Sequence, residues 1–561
     1  MLLTILTLAT LAVLPAHAQP HDPGAVIHGA LAERIDRYLT AAAELGLAGT
    51  ALVEKDGEVI LHKGYGLVDR EGGRRADTRT PYLIGSLSKQ FTAAAIYQLE
   101  SRRFLSLADP LSRWLPDAPA DKRDITLDQL VHHTSGLPYL PRGSLFDSVS
   151  VDSMVREILT TPLDFAPGTR YQYSSPGYNL LAVVVARASG RSFDAYVRDE
   201  LLGPAGMTET GFDDEPSRWP EKNRTPSYGT RERDPPLYPW RRAPKTTGAG
   251  SVITTCADLW KWELALRNGT VLDSVATRKL FAPGPEAGSP TAHYAGGWNV
   301  VKSQRGTTVI LHAGDLGGFN AEMRRFVDEH ATLIFLSNAR EGGRGYREAV
   351  AYPVTRILFG PPIELPPVRL ASSPKALARW RGSWAIAPAV SVDGRVRGDT
   401  VWVLAKTQAA MSALAGSDSA ARAAEQALSM QAATVADTLL RGVRGTLLTT
   451  IHPSLPEESH GSLFDLWANE KALAGGTPSL EVLGTVRTAP NAARSFVRLK
   501  GARGTRVVSL DWVGGFLIDT GPVPERGLEL SFYAERPDTL ARLDMWNGRV
   551  IRVAKHERRA G

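Results

Sequence analysis

Cysteine is the scarcest resource of this chain: among 561 residues there is one, Cys256. A single thiol excludes an intrachain disulfide and any cysteine-built metal site. Charge of one sign is also in short supply. The 65 basic and 59 acidic residues leave a net +6, too thin an excess over this length to point to nucleic acid. Beyond the N-terminus no run reaches about 18 apolar residues, so the rest of the chain offers no membrane span. His-Glu-x-x-His is missing, which removes a zinc-protease reading. Gly-x-Ser-x-Gly, the elbow of α/β-hydrolases, is missing too. No internal repeat is present. The remaining composition is ordinary, with 43% hydrophobic and 22% charged residues, 52 Gly and 37 Pro. It is foreign to disordered chains, collagen-like repeats and coiled-coil rods.

Residues 1–18 form an uncharged apolar run ending in Ala16-His17-Ala18 before Gln19. Small-x-small after a short apolar core is the pattern of a secretory signal peptide cleaved after Ala18, although no Lys or Arg precedes the core. The expected location is therefore exported, periplasmic or extracellular, and one cysteine suits an exported chain that avoids mispairing. Ile27, Leu31, Ile35 and Leu39 recur at four-residue steps and predict an amphipathic helix over 26–46. Runs 49–54 and 58–64, split by Asp56-Gly57, predict a hairpin. Residues 87–104 read as helix, 308–312, 319–327 and 332–337 as strands, and 346–359 as helix. The stretch 211–246 holds seven prolines and is expected to be irregular, a lid, a binding loop or a disordered segment. Proline-rich 360–367 is a stiff linker. After it come short strands with turn signals at Asp393-Gly394, Gly501 and Asn547-Gly548, interrupted by Ala-rich 407–436, helical or weakly ordered. The expected division is signal peptide 1–18, an α/β domain 19–360, linker 361–375 and a β-rich domain 376–561.

Chemistry enters at Ser86-Leu87-Ser88-Lys89. If Ser86 opens the helix, Lys89 lies three residues on and shares its face. Ser86 then sits where unpaired N–H groups and the helix dipole favour negative charge. A serine hydroxyl needs a base, and a lysine serves if its environment lowers its pKa. Alone, Ser-x-x-Lys is more often a helix cap beside a surface lysine. It is not alone. Downstream stand His133-Thr134-Ser135-Gly136-Leu137-Pro138, Pro167-Gly168-Thr169, Tyr171-Gln172-Tyr173-Ser174-Ser175-Pro176-Gly177-Tyr178-Asn179, then His312-Ala313-Gly314 and Gly317-Gly318-Phe319.

In this order and at these separations the set resembles the serine β-lactamase and penicillin-binding-protein superfamily, nearest its class C β-lactamase, esterase and D-aminopeptidase branch, over residues 27–360. The resemblance implies an α/β (α+β) fold, an antiparallel sheet flanked by helices, with a smaller C-terminal β-rich, barrel-like domain. It implies that Ser86 is the acylated nucleophile, Lys89 its proton acceptor, and Tyr173 a member of the same proton network, acting as a tyrosinate base beside ammonium groups. His312 matches the position where many lactamases carry lysine. Gly314 matches the glycine that lets substrate approach the edge strand, and the N–H groups of Ser86 and Asp315 would form the oxyanion hole. Ser175 replaces the expected asparagine and lacks its paired amide geometry. His312 is a poorer carboxylate anchor than lysine at pH 7.

Both departures favour esters or short D-amino-acid peptides over β-lactams. No metal or organic cofactor is implied, and the partners expected are a small ester, amide or short peptide, with a homodimer as a further possibility. The rival readings are a non-catalytic binder of cell-wall peptides and an acyltransferase or transpeptidase working through the same acyl-enzyme. His132-His133 reads as structural rather than metal-binding, Cys256 as a buried inert thiol, and Trp260 and Trp262 as packing residues. Tyr238, Trp240, Arg241 and Arg242 are candidates to line the cleft, and Arg552 to Arg559 reads as a solvated tail. Trp380-Arg381-Gly382-Ser383-Trp384 resembles the opening of β-domains appended to this family, which cover the active-site mouth, help dimerise or serve as support.

Overall fold

The computed structural model describes residues 22–555 apart from 142–144, 214, 216–217, 229–242, 342–343, 362, 364, 367–369, 371, 418, 444–449, 451–456, 490–491, 514, 524–526, 537 and 544–549. The N-terminal run read as a signal peptide, the aromatic–arginine cluster of Tyr238, Trp240, Arg241 and Arg242, the segment read as an Asn547-Gly548 turn and the residues beyond Lys555 lie outside the described residues. Among the described residues, no helix is long and apolar enough to cross a membrane.

The N-terminal half is built on a nine-stranded antiparallel sheet. In chain order its strands are β1 (Val26–Ile27), β2 (Gly49–Lys55), β3 (Glu58–Tyr65), β4 (Glu286–Ser289), β5 (Ala292–Tyr294), β6 (Asn299–Lys302), β7 (Thr308–Leu316), β8 (Phe319–Phe326) and β9 (Ala331–Ser337). In space they run β1-β3-β2-β9-β8-β7-β6-β5-β4. Asp56 and Gly57 both take positive φ, 55° and 91°, which is what a two-residue turn matching strand twist demands. β9 is apolar without alternation because both faces are covered. Leu333 and Phe335 pack on one side with α1 (Gly29–Glu44) and α4 (Arg347–Phe359). Ile334 and Leu336 pack on the other with α2 (Lys89–Ser101) and α3 (Ser175–Ser189). Period-2 geometry makes that split.

α1 starts later than its periodicity suggests. Ile27 belongs to β1, opposite Leu61, and is 36% exposed, because pairing with the β3 edge satisfies its backbone before the helix begins. Ala32, Ile35, Leu39 and Ala42 carry the buried face. α2 is buried from Lys89 to Leu99, as befits a helix without a polar face. Among its described residues the proline-rich stretch contributes short pieces, Gly211–Phe212 paired to Val252–Thr254 and 3₁₀ turns at Glu221–Asn223 and Pro244–Thr246.

The C-terminal part holds a six-stranded antiparallel sheet, from Gly382–Ala387 to Val550–Ala554, and a four-stranded meander, Ser479–Ala489 to Phe516–Pro522. It is more helical than its turn signals suggest. Ala-rich 407–436 resolves into helices Gln408–Leu414 and Ser419–Arg441, and a third helix, Glu457–Ala474, joins the second over the meander. Tyr533 reaches across to the α1–α4 cluster.

Candidate active site

Ser86 sits in a 3₁₀ turn, Gly85–Ser88, that runs directly into α2. The turn is wedged against β7. β6 pairs only with residues 308–311 of β7, so His312 to Leu316 form an edge that faces the turn. Both glycines at this contact are obligatory. A Cβ at Gly314 would lie 1.9 Å from the Ile84 carbonyl oxygen, and one at Gly85, whose φ is +51°, would lie 2.9 Å from the Asp315 nitrogen. Gly314 therefore serves the docking of the turn on the strand, beyond any access it gives a substrate.

Lys89, the first residue of α2, is fully buried. Its Nζ lies 3.1 Å from Ser86 Oγ, 3.0 Å from the Ala249 carbonyl oxygen and 3.4 Å from Ser175 Oγ. Desolvation lowers its pKa to about 7, because an ammonium in a dry site loses its hydration. Ser86 keeps partial exposure while its sequence neighbours are buried. Ser175 opens α3, its N–H donating to the Tyr139 carbonyl over 3.0 Å, with Ser174 as the capping residue.

The Tyr173 ring stands 4.8 Å from Lys89 Nζ. Its hydroxyl is buried and, among the described residues, completes no hydrogen bond. Burial pushes the phenol well above its ordinary value, and the nearby Ser86 hydroxyl only partly opposes that. The expectation of a resting tyrosinate is thus reversed: desolvation without a full positive neighbour favours the neutral phenol. His312 is buried, with Nδ1 donating to the Ala313 carbonyl over 2.6 Å and Nε2 accepting from the Tyr294 hydroxyl over 3.2 Å. Burial, then the charge of Lys89, lowers its pKa to about 3, so the imidazole is neutral at pH 7. Asp315 is exposed, and its carboxylate pairs with Arg347 at the start of α4.

The structure thus gathers Ser86, Lys89, Tyr173, Ser175, His312, Gly314 and Asp315 around one turn. Tyr294, the Ala249 carbonyl and Arg347 join them without any signal in the sequence. Tyr178, inside a motif already singled out, packs 5.6 Å from Lys89 Nζ. His132 and His133 diverge: the first binds Asp128 at the surface, the second is buried. Among the described residues no three His, Cys, Asp or Glu side chains group as metal ligands. Cys256 is buried, its thiol pushed up by burial and donating to the Thr50 carbonyl over 3.2 Å. Trp262 is fully buried, Trp260 partly so. Trp380 and Trp384 pack edge to face, 5.0 Å apart, in the C-terminal core. Cavities of about 390 and 510 Å³ lie elsewhere, one beside Glu54 and Arg267, the other beside Lys122 and Arg156.

A Ser-x-x-Lys turn docked on the edge of an antiparallel sheet, with helices on both faces, defines a class of serine hydrolases. The chain belongs to the beta-lactamase family, whose model matches residues 31–355. It is 30% identical over 344 residues to penicillin-binding protein 4* of Bacillus subtilis (strain 168), covering 57% of this chain and 74% of that protein. It is 34% identical over 244 residues to esterase EstB of Burkholderia gladioli, covering 40% and 61%. An octameric penicillin-binding protein homologue from Pyrococcus abyssi shares the fold over 93% of this chain and 98% of its own, with TM-score 0.52 at 17% identity. That likeness, of fold alone, reaches past the family match into the C-terminal sheets.

Proposed function

We propose that the protein is an exported serine hydrolase that cleaves esters, or amides of short D-amino-acid peptides, through an acyl-enzyme on Ser86. The observation that carries this reading is the buried amine of Lys89, 3.1 Å from the Ser86 hydroxyl and titrating at about 7. As Ser86 Oγ bonds to the substrate carbonyl carbon, its proton passes to neutral Lys89 Nζ. The oxygen of the tetrahedral intermediate is met by the N–H groups of Ser86 and Asp315. When the C–O or C–N bond breaks, the Tyr173 phenol hands its proton to the leaving group and recovers one from the Lys89 ammonium. Water, giving a proton to the same amine, then attacks the acyl carbon; as the Ser86 Oγ–acyl bond breaks, the Lys89 ammonium returns that proton to Oγ and the acid is released.

Ser175 offers one hydroxyl to this network in place of an amide, and a neutral His312 offers no charge to a substrate carboxylate. Uncharged esters therefore rank above D-amino-acid amides, and β-lactams last. The N-terminal apolar run supports export. A fluorophosphonate probe followed by intact-mass and peptide analysis tests the reading. One adduct on Ser86 is expected, absent in Ser86→Ala, together with turnover in the order p-nitrophenyl ester, D-Ala amide, nitrocefin. A folded protein that takes up no probe at Ser86 would overturn it.

A further inference from the structure

Tyr173 sits on residues 171–174, which belong to neither helix nor strand. Regular structure does not hold its phenol in place, yet the proton transfers assigned to it tolerate little misplacement. Its immediate neighbours are both gripped by one residue. The Gln172 N–H donates to the His133 carbonyl over 2.9 Å, and the Ser174 N–H donates to His133 Nδ1 over 3.0 Å. Between those two bonds the imidazole lies against the tyrosine itself, ring centroids 4.3 Å apart and tilted by 39°. His133 thus touches the residue before Tyr173, the ring of Tyr173 and the residue after it.

The backbone adapts to this task. His133 takes φ +58°, the left-handed region that residues with a Cβ seldom enter and that concentrates at functional sites. In that conformation one residue offers both its carbonyl and its ring nitrogen to the same segment. The tautomer follows from the bond: Nδ1 accepts an amide hydrogen, so the ring proton sits on Nε2. Among the described residues Nε2 is buried without a hydrogen-bond partner, so the imidazole's hydrogen bond there goes to the Tyr173 segment. Tyr294 and Tyr178 close the box, with ring centroids 4.4 and 5.0 Å from the imidazole.

We propose that His133 is a positioning residue for Tyr173, aiming the phenol at Ser86 and Lys89 by clamping it at three points. This rests on Tyr173 being the proton relay of the proposed reaction. The test is steady-state hydrolysis of a p-nitrophenyl ester by the full chain, with active sites counted by fluorophosphonate and folding followed by thermal unfolding. In His133→Ala, kcat is expected to fall about 10²-fold with KM little changed. His133→Asn keeps an acceptor for the Ser174 N–H and tolerates a left-handed backbone, and is expected to recover about tenfold of that loss. In a Tyr173→Phe background either substitution should cost less than about threefold, because the loss passes through the phenol. Folded variants with wild-type kcat, or losses that multiply in the Tyr173→Phe background, overturn the proposal. If His133→Ala does not fold, the Asn variant and its cycle with Tyr173→Phe decide it alone. A slow Tyr173→Phe beside fully active His133 variants sinks only the clamp; a fully active Tyr173→Phe sinks the relay and the clamp together.

Discussion

Lys89 in the N-terminal half and Glu425 and Glu470 in the C-terminal half are all buried ionisable groups, but their surroundings differ in kind. Glu470 receives two hydrogen bonds from the Arg506 guanidinium, at 2.7 and 3.3 Å. Glu425 receives the hydroxyls of Ser412 and Ser417, each at 2.7 Å, and the Arg487 N–H at 3.1 Å. Both carboxylates hold helices to the meander, Glu470 through a counter-charge and Glu425 through neutral donors. Among the described residues Lys89 hydrogen-bonds to two hydroxyls and a carbonyl beside the Tyr173 and Tyr178 rings, and no carboxylate comes within ion-pair distance of it. Burial without a counter-charge leaves an amine that gives up its proton near neutral pH. Glu470, with its counter-charge, is scaffold; Lys89, hydrogen-bonded but without one, is poised for chemistry.

The sharpest way to break this contrast is to remove the proposed nucleophile. Ser86→Ala should reduce ester turnover at least about 10³-fold, whereas Glu425→Gln should leave turnover unchanged in the same assay. Lys89→Met should lower kcat about 10²–10⁴-fold and at the same time raise the melting temperature, since an apolar chain of similar length replaces an uncompensated amine. Its mirror is Glu470→Leu, which leaves Arg506 without its partner. With that guanidinium 41% exposed, the expected loss is about 1–3 kcal/mol in denaturant unfolding, with kcat unaffected. A Lys89→Met protein that is less stable than wild type would end the comparison.

Gly314→Ala should cost about 10²-fold in kcat, because relieving the clash with Ile84 must move the edge strand away from the serine turn. The smallest effect is on pH. The kcat/KM profile should rise as pH passes through about 7, where Lys89 becomes neutral. Stability should follow the same direction. The folded-state values of His312 and Lys89, about 3 and about 7, lie below their ordinary 6.5 and 10.5. Between each pair of values the unfolded chain binds more protons, so stability grows with pH from 3 to 6.5 through His312 and from 7 to 10.5 through Lys89. Urea midpoints at pH 4, 7 and 9 check the sign.

Much of the fold was legible wherever one local rule decided the outcome. Asp56-Gly57 specified a turn by its conformational preference, and β9 declared itself as a largely apolar run. Ile27 misled, since its spacing fits a helix while an open strand edge nearby claimed its backbone. The C-terminal helices were under-read because propensity there competes with packing against the meander. At the site, Ser86 and Lys89 could be paired from spacing, one turn being a short-range constraint. Tyr294, Ala249 and Arg347 could not, because they arrive from distant elements.

Local covalent geometry lets a sequence dictate which groups lie one turn apart, which glycines must bend and which segments are apolar enough to be buried. On those grounds the chain alone placed Ser86 and Lys89 on one turn, and the order of its motifs carried the resemblance to its family. Whether the amine is dry, whether the phenol keeps its proton and whether the histidine carries charge depend on which distant groups exclude water from them. Electrostatics of that kind exist only once the sheet edge, the serine turn and the aromatic box have closed on one another.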